Sequence, residues 1–211
     1  MGEILSSITG AIVNLVIFSL IPVLWWFFRH RKEVGFFKWI GLYKPQLKSQ
    51  WWVLIIFAAV YYFFYSFDFT QLIDAKSLEY LENSASVSGN AYAGMGAAAI
   101  VPALIENFIA NGVAEEILFR GFLCKRLCSK FGTVPGIILQ GVLFALMHNI
   151  LYLVIGMEVS LWYHVLMFVF TAMGALLLGW LNEKIYNGSI IPSIILHGAG
   201  NFISTMLAVF G

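Results

Sequence analysis

Charge is what this sequence has least of. Asp, Glu, Lys and Arg make up 11% of its 211 residues, where soluble domains average about 25%. That shortage excludes an ordinary soluble domain. With 61% hydrophobic residues and a mean hydropathy of +0.87, the chain reads as a membrane protein. A formal net charge of +1 and no basic tract argue against a nucleic-acid partner. Cysteine is nearly absent too. Cys124 and Cys128 stand four apart among Lys125, Arg126 and Lys130, with no other soft ligand nearby. They read as reduced structural thiols, not a disulfide framework or a metal site.

Long apolar runs fill most of the rest. Ile4 to Phe28 is long enough to span about 30 Å of hydrocarbon. It opens with Glu3 and ends in Trp25-Trp26-Phe27-Phe28-Arg29, the pattern of a retained membrane helix and not of a cleaved leader; Pro22 is expected to kink it. The lysine- and aromatic-rich connector Gly35–Leu42 is expected in the headgroup interface. Trp51–Phe67 is the second span, flanked by aromatic belts, and Asp68–Asn90 a polar loop. Ala91 to about Lys130 continues through Pro102 as the longest helical pattern, small and Gly/Ala-rich at its start, which suits close packing. Val134–Ile155, Leu161–Leu181 and Ile190–Phe210 complete six spans, with a turn at Asn187-Gly188-Ser189. The expected fold is all-α: a polytopic membrane helix bundle of about six transmembrane helices plus interfacial helices. Residues 1–211 form one domain, in which 1–90 are amino-terminal spans and 91–205 the core. Neither an internal repeat nor a separate soluble domain is visible.

Basic residues set the expected orientation. With the amino terminus outside, the inner side collects Arg29, Arg31, Lys32, Lys38, Lys44, Lys48, Arg120, Lys125, Arg126, Lys130 and Lys184. Of the 12 Lys and Arg residues, only Lys76 falls outside. The positive-inside rule then places both termini outside.

Against this apolar background the few ionisable residues inside spans mark a functional site. Glu115 and Glu116 are adjacent, and Arg120 follows Glu116 by four residues. At about 100° per residue, Glu116 and Arg120 share a helix face while Glu115 points elsewhere. Asn107, Asn111 and Glu115, each four apart, form a second stripe. His197 and Asn201 repeat the four-residue spacing on the last helix and can donate hydrogen bonds to a developing oxyanion. His148 follows Phe144 by one turn on another helix. A glutamate and a histidine together can activate water, and spacing alone leaves open which glutamate it is. Glu106 lies opposite Glu115 on the helical wheel, and His164 sits with Trp162 and Tyr163 at the outer interface. Counted at about 1.5 Å per residue from the inner boundaries, Glu115 lies roughly 13 Å deep, His197 roughly 10 Å and His148 roughly 21 Å. The depth of His148 does not match the other two, so either the fourth span starts deeper than Val134 or it tilts strongly.

At these residues the chain resembles the CPBP (CAAX protease and bacteriocin-processing, or Abi) family of intramembrane proteases. The resemblance rests on three motifs in order: Glu115-Glu116-Ile117-Leu118-Phe119-Arg120, Phe144-Ala145-Leu146-Met147-His148 and His197-Gly198-Ala199-Gly200-Asn201. It covers residues 91–205. It implies that Glu115 is the general base, His148 assists it, and His197 and Asn201 form the oxyanion site. Glu116, Arg120 and Phe144 would support them. It implies no cofactor; if a divalent metal such as zinc were held, Glu115, His148 and His197 would be its ligands. The implied substrate is a membrane-associated peptide or protein, and the implied setting a bacterial plasma membrane. Two competing readings are a non-catalytic bacteriocin-immunity or scaffold protein, and a transporter relaying protons through Glu106 and Glu115.

Overall fold

The computed structural model describes residues 2–46, 51–66, 70–84 and 87–211; Lys48, assigned above to the inner side, and Phe67 and Asp68, assigned to the second span and the loop, lie outside them. Among the described residues every regular element is helical. Helix α1 spans Gly2–Arg29 and runs through Pro22 unbroken. Short α2, Phe36–Ile40, precedes α3, Trp51–Ser66, and α4 is Ala75–Asn83. Then come α5 (Gly96–Phe131), α6 (Thr133–Val154), α7 (Leu161–Ile185) and α8 (Ile191–Phe210).

Among the described residues five helices, α1 and α5 to α8, are long and apolar enough to cross a membrane. The 16 described residues of α3 rise about 24 Å, short of the roughly 30 Å hydrocarbon core. Helix α5 begins at Gly96, not Ala91. A short helix, Ser88–Ala91, ends there; Gly94 and Gly96 have φ of +77° and +52°, left-handed values that no helix interior tolerates, so residues 92–94 form a turn before α5. The connector is not only interfacial. Trp39 and Ile40 are buried against Ile117 and Phe122 of α5, and Gly121 makes that contact possible, since a Cβ there would lie 2.9 Å from the Ile40 carbonyl oxygen.

Helix α5 is the centre of the bundle, packed against α1, α6 and α8, with α7 paired to α6. Burial follows that order. In the most apolar stretch of each helix 39% of residues are buried for α5 and α8, but only 11% for α1, which presents its apolar surface to lipid. Helices α5 and α6 meet at Gly132 in a tight hairpin, where a Cβ on Gly136 would sit 2.4 Å from the Cys128 backbone nitrogen. Small residues also bring α5 to α8: a Cβ on Gly112 would lie 3.3 Å from Gly198 Cα, and one on Gly198 2.6 Å from the Phe108 ring. Packing through small residues replaces the hydrophobic drive that lipid removes.

The two ends of the bundle differ in charge. At one, Arg126 stacks over Trp39 at 4.2 Å. Lys125 Nζ donates to Glu183 Oε1 (2.9 Å) and to the Gly188 carbonyl (2.6 Å). At the other, Asp74 caps α4 by accepting from Ser77 N at 3.0 Å and also accepts from the Ser160 hydroxyl, which itself caps α7. Ser160 N closes the clasp on Ser77 Oγ at 2.8 Å.

The Ser160 hydroxyl, then the Ser77 amide, hold the Asp74 carboxyl at a pKa of about 2, below its ordinary 3.8. A depressed pKa stabilises the clasp at every pH above the ordinary carboxyl value, and that contribution is lost as pH falls through the lowered one. Amide hydrogen exchange should therefore show the Ser77 and Ser160 N–H groups losing protection between about pH 4 and pH 2. An Asp74→Asn chain should show no such step.

Candidate active site

The acidic pair sits at an irregularity of α5. Ala114–Glu116 is a short α-helical piece between two π-wound stretches, Ile105–Val113 and Ile117–Cys124. Such i→i+5 winding is rare and frequently marks functional sites. The regular 100° rotation assumed from sequence therefore does not hold along this helix, although the local pairings next to the acidic residues do form.

Glu116 is fully buried and Arg120 is 1% exposed. Arg120 Nη1 lies 3.0 Å from Glu116 Oε1 as an ion pair whose N–H is not aligned on the oxygen. The same oxygen accepts from His197 Nδ1 at 3.0 Å. The guanidinium lies 4.2 Å over the Phe144 ring, and that ring also packs on Phe119, His148 and His197 at centroid distances of 4.8, 4.5 and 6.1 Å. Phe144 is thus the spacer that sets the arginine and both imidazoles apart. Its carbonyl accepts from His148 Nδ1 at 2.9 Å.

Those bonds fix the imidazoles. A carbonyl only accepts, so His148 carries its proton on Nδ1 and turns Nε2 outward. His197, bonded through Nδ1 to Glu116, does the same. Both Nε2 atoms face one oxygen: Glu115 Oε2 stands 4.0 Å from that of His148 and 3.9 Å from that of His197. This oxygen is buried without a hydrogen-bond partner. The three groups thus line a gap of polar atoms, each too far from the next for a direct hydrogen bond. A small polar molecule in that gap would touch a base and two imidazoles.

Zinc fits this donor set poorly. Zn–N and Zn–O bonds of about 2.0–2.1 Å at tetrahedral angles put ligand atoms about 3.4 Å apart, less than the two separations observed. Among the described residues no group of three His, Cys, Asp or Glu has metal-binding placement.

His148 stands level with Glu115, not deeper. Depth has to be counted from the turn that α5 and α6 share: Glu115 is seventeen residues before Gly132 and His148 sixteen after it. Antiparallel pairing brings two such positions together. Asn201 lies one turn beyond His197 on α8, and its carbonyl accepts from the Thr205 hydroxyl at 3.0 Å. Asn107 is buried on the same seam, donating to Thr205 Oγ1 at 3.2 Å, so Asn107 and Glu115 both face α8. Glu106 leaves the cluster and accepts from the Tyr92 hydroxyl. Burial, followed by this bond, raises the Tyr92 hydroxyl to a pKa of about 12. His164 is engaged by Asn149 at 2.8 Å, away from Glu115.

Sequence reasoning passed over three buried polar residues near the cluster: Gln140, Asn182 and Ser193. The Ser193 hydroxyl faces the Glu116 carboxylate and accepts from Asn182 Nδ2 at 2.7 Å. Ser193 stands four residues before His197, the spacing that had drawn attention to Asn201 on the other side.

A family model described as type II CAAX prenyl endopeptidase Rce1-like matches residues 97–203, which include every residue of this cluster. No curated protein and no solved structure matches the chain.

Proposed function

The chain belongs to the Rce1-like type II CAAX prenyl endopeptidase family, a family of membrane peptidases, and we propose that it cleaves a membrane-associated peptide with water activated by Glu115. The observation that carries this reading is the convergence of both imidazole Nε2 atoms on the unpartnered Glu115 Oε2. A water in the gap gives one proton to Glu115 and the other, as a hydrogen bond, to His148 Nε2. Its oxygen then attacks the scissile carbonyl, and Glu115 delivers the proton to the leaving amine.

Glu116 and Arg120 cancel each other's charge and hold His197 in place. His197 and Asn201 supply the hydrogen bonds to the oxyanion. No metal takes part, and the reaction should survive thorough treatment with zinc chelators. Loss of activity on chelation, restored by zinc, would overturn that part. The basic end, with its Arg and Lys residues, faces the inner side of a bacterial plasma membrane, and with α3 as a sixth, shorter crossing both termini face outside. The family description points to prenylated CAAX tails as a substrate class; an unmodified membrane peptide is the other.

Mass spectrometry of membrane peptides from cells carrying the native chain or Glu115→Ala tests the reading. A peptide processed only with the native chain names the substrate and its bond. Identical peptide sets would support a scaffold or immunity role instead.

A further inference from the structure

The bundle buries more polar groups than the acidic cluster uses. Gln140 of α6 is 0% exposed, and neither its Nε2 nor its Oε1 has a hydrogen-bond partner. Asn182 of α7 is 1% exposed and spends Nδ2 on Ser193, leaving Oδ1 unpartnered. Glu116 Oε2 and Arg120 Nε are in the same condition. Each such group left dry forfeits the hydrogen bond it would make with water in the unfolded chain. Buried polar groups in native proteins are otherwise nearly always satisfied, by protein or by ordered water.

Gly179 of α7 makes the space that the Gln140 amide itself fills, since a Cβ there would lie 3.1 Å from Gln140 Oε1. Asn182 follows Gly179 by three residues on the same helix. From Asn182 the polar groups continue both ways. Towards the site, Asn182 donates to Ser193, whose hydroxyl reaches the Ile190 carbonyl at 2.9 Å and faces Glu116. Towards the basic end, Gly188 N donates to the Asn182 carbonyl at 2.7 Å. Lys125 then joins Gly188 to Glu183, and both charged side chains are partly exposed.

We propose that Gln140 and Asn182 hold ordered water, and that this hydrated seam is the route by which water from the basic side reaches the acidic cluster. The proposal rests on the hydrolytic reading above only for its purpose: each turnover consumes one water at the acidic cluster. The water site itself stands on the unpartnered amides.

The test has two arms. A crystal structure of the full wild-type chain in a lipid phase, at a resolution that shows water, should place water within hydrogen-bond distance of the Gln140 amide and Asn182 Oδ1. Amides in dry contact with apolar atoms would overturn the proposal, whether or not any peptide is cleaved. In lipid nanodiscs, Gln140→Leu should lower kcat about tenfold with KM unchanged and a melting temperature no lower than wild type. An apolar side chain of similar size removes the unpaired amide without opening a cavity. An unchanged kcat would overturn the route. Should the leucine variant not fold, Gln140→Met carries the same expectation with a more adaptable side chain.

Discussion

Glu115→Gln is expected to lower kcat by about 10³-fold, within the range of 10²–10⁴ attributed to a positioned general base, while leaving KM and the melting temperature close to wild type. The amide keeps the shape of the carboxylate and its place between His148 and His197, but it cannot take a proton from water. Glu115 is also the member of the acidic pair that no cation neutralises, since Arg120 is committed to Glu116. Its loss therefore leaves no buried charge stranded. Peptide cleavage by purified protein in nanodiscs, with melting followed in parallel, separates this result from unfolding. A fall in stability of the same size as the fall in rate would mean that Glu115 is packing and not chemistry.

Arg120→Leu should act in the opposite way, through the fold. Arg120 and Glu116 are both essentially removed from solvent, and removing one partner of such a pair leaves an uncompensated charge, at a cost of about 3–5 kcal/mol. The guanidinium also covers the Phe144 ring, so the variant loses packing at the spacer that sets both imidazoles. The expected outcome is a large drop in melting temperature and loss of monodisperse protein. Adding Glu116→Gln should restore part of that stability, because the stranded charge is gone. A double variant as unstable as the sum of its singles would show that the two residues do not act as a pair. Arg120→Lys should keep the charge yet recover only part of the stability, since an ammonium lacks the flat face that lies on Phe144.

Much of the bundle is legible in the apolar runs, because a helix in lipid satisfies its own backbone and needs only length and hydropathy. The Glu116–Arg120 pair is legible for a similar reason: four residues place the two on one face over a distance too short for irregular winding to matter. Over longer distances it does matter. The π-wound stretches either side of Ala114–Glu116 have no signature in the residues, and they spoil any wheel drawn from Glu106 to Arg120. The level of His148 is not legible from estimated span boundaries, because the hairpin at Gly132, and not either boundary, sets it against Glu115. Gln140, Asn182 and Ser193 were hidden by chemistry: neutral polar residues scattered in apolar runs carry no spacing pattern, and only the fold shows that they meet. The early start assigned to α5 at Ala91 failed on two glycines whose positive φ the composition alone does not reveal.

The central claim is that Glu115 makes water the nucleophile, and oxygen-18 labelling tests it most directly. Chelator-treated protein in nanodiscs is incubated in ¹⁸O water with the peptide identified from membranes, and the new carboxyl terminus is weighed. The native chain should release product carrying one ¹⁸O atom in its first turnover, and Glu115→Gln almost none in the same time. Labelled product formed at the same rate by both chains would contradict the account.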